Sequence, residues 1–181
     1  MRIPRILLLL VVLSLTGTML VACGSEQDEE PAEPSVATLE GEGFTVAMPG
    51  TPKREVITAQ TSAGPVPITA YIAERGSDGF SLSVLTVPKG VKSDLDEAVK
   101  GAAASVKGTL QNTRQATYQG FPARDARITN ARDPNGNAGT VFARVIAAKG
   151  RIFQLQFVVG EANVRTPPTA YTEFISSLKI A

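Results

Sequence analysis

From Phe44 onward the apolar and polar positions alternate in short runs. Phe44, Val46 and Met48 fall on one side of such a run, with Thr45 and Ala47 on the other, the two-residue period of a half-buried strand. Pro49-Gly50-Thr51-Pro52 breaks it. Strands are predicted over 53–60 and 67–74, separated by a loop at 61–65. A turn at 76–79 then leads into a strand opened by Phe80, Leu82 and Val84. The period next becomes helical: Leu95, Val99, Ala102 and Val106 share one face. Ser93 with Asp96 forms a variant capping box, and Gly108 is the expected stop. Because that face is mostly alanine, the helix should lie close on a sheet. Four strands follow, over 113–119, 121–130, 140–148 and 151–160. In the last, Phe153, Leu155, Phe157 and Val159 oppose Gln154 and Gln156, the clearest core signal in the chain. A closing helix begins at Thr166-Pro167-Pro168, with proline at its first position, and carries a stripe of Ala170, Phe174 and Leu178. Strands joined by tight turns favour antiparallel pairing. The expected fold is therefore α+β, one domain over 43–181, with a mainly antiparallel sheet packed against two helices.

The first 42 residues read differently. Arg2 and Arg5 precede an uncharged apolar run over 6–22, the pattern of an export signal. The run ends in Leu20-Val21-Ala22-Cys23-Gly24-Ser25, which resembles the lipobox of bacterial lipoproteins: an aliphatic residue and two small ones before an obligatory cysteine. The resemblance implies cleavage of a signal peptide, residues 1–22, and a diacylglyceryl thioether on Cys23, with the new amino group acylated as well. Two or three acyl chains, at about 0.8 kcal/mol per buried methylene, hold a protein firmly at a bilayer. Residues 23–42 are acidic, contain Pro31 and Pro34, and lack aromatic side chains, so a disordered spacer is expected there.

Composition narrows the chemistry. The chain has 18 bases, 17 acids, no His, no Trp and one Cys. No internal disulfide and no Cys/His zinc site can form, and histidine-dependent nucleophilic catalysis is excluded. Two of the bases precede Cys23 and seven of the acids fall within 23–42, which leaves a net charge of +6 on 43–181. That excess is too thin for a nucleic-acid footprint. No phosphate loop, dinucleotide fingerprint or nucleophile elbow occurs, and no cofactor is expected.

Three constellations remain. Asp133-Pro134-Asn135-Gly136-Asn137 fails as a calcium loop at the positions of Ala138 and Arg144, and reads as a hairpin turn. Asp94, Asp96 and Glu97 open the first helix, where its dipole favours acids. Arg124, Arg127, Arg132, Arg144 and Arg151 fall on the strands and turns of the second half. Of these, Arg124, Arg127 and Arg144 are the candidate anion or partner contacts, although alternation places Arg124 and Arg127 on opposite sides.

A second resemblance rests on Gly43-Phe44-Thr45-Val46-Ala47-Met48-Pro49-Gly50, on Tyr118-Gln119-Gly120-Phe121-Pro122-Ala123, and on the 150–159 strand with the terminal 174–180 stretch. These look like a family of small exported bacterial domains similar to the PsbP/Mog1-like α/β sandwich. That family supplies no catalytic residues to carry over, and its fold does not dictate a function. The sequence thus favours a monomeric, lipid-anchored module on the extracytoplasmic side of the cell membrane. It would not be an enzyme, and would bind an envelope protein, a polymer or a small ligand through one sheet face. An assembly or chaperone-like accessory role is what the second resemblance implies. The alternative is a carboxylate-dependent hydrolase or transferase of the cell envelope.

Overall fold

A computed structural model describes residues 35–181 except 62–63 and 133–135. Residues Glu33–Ala181 cluster as one compact unit. Its architecture is α+β, as the periodicities predict. Seven strands form one antiparallel sheet: β3 (Lys53–Thr61), β4 (Gly64–Arg75), β5 (Asp78–Thr86), β6 (Thr109–Tyr118), β7 (Phe121–Arg132), β8 (Ala138–Ala148) and β9 (Arg151–Val159). Their spatial order is β3-β4-β5-β9-β8-β7-β6. The long connection from β5 carries helix α1 (Leu95–Ser105) across to the far edge, so β9 can slot in beside β5. A smaller sheet, in the order β1-β2-β10, joins β1 (Val36–Gly41), β2 (Phe44–Pro49) and the final β10 (Lys179–Ile180).

Alternation sorts the large sheet's side chains into two faces. Phe153, Leu155 and Phe157 of β9 point into the main core, where they meet Phe80 and Leu82 of the neighbouring strand and Phe44, Val46 and Met48 of β2. Helix α2 (Thr169–Ser177) closes that core with Tyr171, Phe174 and Ile175. Phe80 is central to it: its ring stands edge-on to Phe157 at 4.8 Å and to Phe174 at 5.5 Å, arrangements worth about 0.5–1.5 kcal/mol each beyond area burial. On the opposite face α1 lays Val99 over Ala126, Ala143 and Val145, and Ala102 and Ala103 over Ile128, Ala131 and Val141. The alanine-rich stripe lets the helix approach closely, as its composition predicts.

The structure moves several boundaries. Residues 23–42 were expected to form a disordered spacer, yet Val36–Gly41 is a strand, paired antiparallel with β2 from Val36↔Pro49 to Gly41↔Phe44. Averaging over the acids of that stretch hides a two-residue period in which Leu39 packs on the core. The folded domain therefore begins before Gly43. The expected leader at 1–22, the acidic residues 23–34 and Cys23 lie outside the described residues. The N-cap of α1 is Asp94 rather than Ser93; its carboxylate accepts from the backbone N–H of Asp96 at 2.9 Å and of Glu97 at 3.0 Å. Helix α2 starts at Thr169, one residue beyond Pro168, which takes the N-cap position in extended conformation. β6 begins at Thr109 rather than 113, and the short β10 carries no periodic signal of its own.

Candidate functional site

Pairing on the α2 side of the sheet assembles a charged group from three adjacent strands. Asp125 of β7 lies directly across from Arg144 of β8 and from Arg114 of β6. Arg144 donates to its carboxylate through Nε at 2.6 Å and through Nη2 at 2.9 Å, a bidentate fork. Arg114 adds a third bond at 2.9 Å. Burial by itself raises the Asp125 pKa, but the two guanidinium groups outweigh it and hold the carboxyl below its ordinary value. The same bond raises Arg144, whose guanidinium carbon also sits 5.6 Å from the centre of the Tyr118 ring. Tyr118 is fixed in turn, its hydroxyl 2.6 Å from the carbonyl oxygens of Ile175 and Leu178 at the end of α2.

Around this fixed group opens a cleft of about 390 Å³. Its lining includes Arg114, Arg127, Arg144, Arg165, Asp125 and Tyr171. Four arginines against one aspartate leave the wall with a net charge of +3. Arg127, two residues along β7 from Asp125, gives one bond, from Nη1 to the Val164 carbonyl at 3.2 Å. Val164 is itself pinned by its N–H to the buried Thr140 hydroxyl at 3.0 Å. That bond fixes the β9–α2 connection, on which the next residue, Arg165, stands exposed with no partner among the described residues. Tyr171 is 6% exposed, and its hydroxyl likewise has no hydrogen-bond partner among them, although it lies in the fields of Asp125, Arg144 and Arg114. Burial, then the Asp125 charge, pushes its pKa well above the usual phenol value, so at neutral pH it is a proton donor.

Of the three predicted contact arginines, the structure brings Arg127 and Arg144 into this cleft and places Arg124 on the other face. There Arg124 bonds Asp96 at 2.8 Å beneath α1. The opposite-side placement follows from alternation, as expected. Arg132 donates to the Gly136 carbonyl and Arg151 to Glu42. The α1 acids are engaged too: Asp94 caps the helix, Asp96 holds Arg124, and Glu97 pairs with Lys100 at 2.7 Å. Most of the turn at 133–137 lies outside the described residues. Sequence reasoning missed Arg114, Arg165 and Tyr171. Tyr171 was within reach, because it falls three residues before Phe174 on the helical stripe. Arg165 carries no periodic signal at all.

A larger hollow, about 480 Å³, lies on the opposite face between the β4–β5 turn and the end of α1. Its walls are mostly apolar side chains and backbone, and its one arginine, Arg132, is already bonded to Gly136. Chemistry therefore favours the smaller cleft. Among the described residues no group of three or more His, Cys, Asp or Glu could hold a metal ion. No helix among them is long and apolar enough to cross a membrane.

No protein-family model and no curated protein matches the sequence. Solved structures do match. The solution structure of cyanobacterial PsbP (CyanoP) from Synechocystis sp. PCC 6803 covers 88% of this chain and 98% of its own, with a TM-score of 0.54 and 12% identity. The fold is PsbP-like. A protein of unknown function from Pseudomonas aeruginosa is more distant, with a TM-score of 0.36 and 9% identity over 68% of this chain and 82% of its own. At such identities the likeness concerns the fold alone.

Proposed function

We propose that this protein is a lipid-anchored, extracytoplasmic binding module that serves as an accessory factor rather than a catalyst, and that its arginine cleft receives an anionic group. One observation carries the reading. Four arginines and a single aspartate line one cleft, and among the described residues Arg165 and the Tyr171 hydroxyl stand in it without hydrogen-bond partners. Arginine suits the task because its planar fork meets oxyanions in bidentate fashion and keeps its charge at any physiological pH. The resemblance of Leu20–Cys23 to a lipobox supports the location, and the PsbP-like fold supports the accessory role.

Both halves can be tested. Replacement of Cys23 by Ser should leave an unprocessed precursor, while the wild-type mature chain should carry diacylglyceryl and acyl mass on its first residue. A wild-type intact mass without acyl groups would sink the anchor. For the cleft, melting of the full chain is measured in neutral detergent against a panel of small oxyanions at constant ionic strength. At ligand concentrations near 100 times Kd, stabilisation is about 2.7 kcal/mol, a rise of roughly 5–10 °C for a domain of this size. The rise should disappear in Arg165→Glu. A melting point indifferent to every anion would remove the binding reading.

A further inference from the structure

The cleft already contains a carboxylate, and the way it is held shows what the remaining donors suit. Asp125 is planar, and one arginine satisfies it: the Arg144 fork takes both oxygens, with Arg114 closing from the next strand. A carboxylate ligand is likewise met by a single fork, in one plane. Among the described residues, the donors left over come from more than one element. Arg127 has bonding capacity beyond its one hydrogen bond among the described residues, to Val164, and it stands on β7. Arg165 stands on the β9–α2 connection, and the Tyr171 hydroxyl comes from α2. Three separate elements therefore supply donors to the lining of one cleft, which suits an anion with three terminal oxygens out of a common plane. Charge agrees: the wall retains +3 after Asp125 is counted, which favours a dianion over a monoanion. Size agrees as well, since about 390 Å³ exceeds what a bare tetrahedral anion fills, and Phe142, Ile175 and Pro167 offer an apolar floor beside the arginines.

We infer that the cleft binds the phosphate group of a phosphomonoester, whose terminal oxygens take Arg127, Arg165 and the Tyr171 hydroxyl while its organic part lies on Phe142, Ile175 and Pro167. This assignment rests on the anion-binding reading above and narrows it. A phosphomonoester carries close to two negative charges above about pH 6 and three acceptor oxygens, matching both the surplus charge and the donor count. Arg144 and Arg114 neutralise Asp125, which otherwise would repel such a ligand.

The test is titration calorimetry on the full chain in neutral detergent at pH 7.5, with three probes. Phenyl phosphate and benzoate share a ring and differ in the anion; dihexanoyl phosphatidic acid presents the same phosphomonoester on a lipid. Phenyl phosphate or the phosphatidic acid should bind at least tenfold more tightly than benzoate. The tighter of the two identifies a soluble or a lipid source. Arg165→Ala and Tyr171→Phe should each weaken the phosphate probe by about tenfold or more, whereas Arg124→Ala, on the other face, should not. Arg165 is exposed, and Tyr171→Phe keeps the packed ring, so both variants should melt like the wild type and report on binding alone. Benzoate binding as tightly as both phosphate probes would overturn the phosphomonoester assignment and leave the anion reading standing. Failure of all three probes would overturn both. Phosphate binding unchanged in Arg165→Ala and Tyr171→Phe would remove the assignment from this cleft.

Discussion

At the scale of single residues, Asp125 is held from both neighbouring strands. Three hydrogen bonds reach it from two arginines, and its side chain is 17% exposed. Replacing it with Ala would leave the Arg144 guanidinium in a largely enclosed site with its fork unmatched, so a loss of about 2–3 kcal/mol is expected in urea unfolding. The pH profile should change with it. The folded-state pKa of Asp125 is lowered, so its stabilisation is fully present above the unfolded carboxylate range and disappears as pH falls through the folded value. Asp125→Ala should therefore flatten the acid side of the stability curve. Tyr171 acts at the other end. Its pKa is raised, so the folded state holds a proton that the unfolded chain releases above about pH 10, and stability falls as pH rises beyond that point. Tyr171→Phe should flatten the alkaline side. A profile unchanged in both variants would contradict the geometry of the cleft.

Among the elements, α1 shows where the sequence speaks clearly and where it does not. Of its buried face, Val99 and Ala102 are legible from spacing alone, and Ala103 joins them in the structure. Its end is subtler. Gly108 reads as the stop, yet Lys107 takes the left-handed conformation, with φ of 50°, while the N–H groups of Lys107 and Gly108 bond back to Ala104 and Ala103. Gly108 is needed for room: a Cβ there would run into the Ile128 side chain. Lys107→Gly should thus stabilise the domain by about 1 kcal/mol, by relieving the left-handed strain. Gly108→Ala should cost about 1–3 kcal/mol through overpacking. Chemical denaturation of the two variants gives the signs, and a stabilised Gly108→Ala would refute the steric account. The cleft was less legible for a related reason. Alternation separated Arg124 from Arg127 correctly, but which arginines meet depends on the register of β6, β7 and β8 and on a connection without period. Neither is written in the spacing of one strand.

For the molecule as a whole, the two sheets share one core, and the smaller joins the first and last strands of the folded domain: β1 and β10 flank β2. Composition placed the domain start at 43, because acids dominate the stretch before it, whereas pairing and the packing of half-buried Leu39 on the core place β1 inside the fold. A chain beginning at Gly43 loses the β1 ladder and uncovers one edge of β2. It should melt several degrees below a chain beginning at Ser35, and equal melting points would restore the earlier boundary. The same arrangement has a mechanical consequence. A pull applied through the residues before Ser35 enters the fold at Ser35, whose carbonyl accepts from the Gly50 N–H, just outside the Val36–Pro49 rung of the β1–β2 pair. The pair would open like a zip, the Ser35–Gly50 bond first, then Val36–Pro49, and Gly41–Phe44 last, each rung yielding at low force in its turn. The seven-stranded sheet and the arginine cleft lie beyond that zip, so a ligand held in the cleft could be tugged some distance before the site itself felt the load.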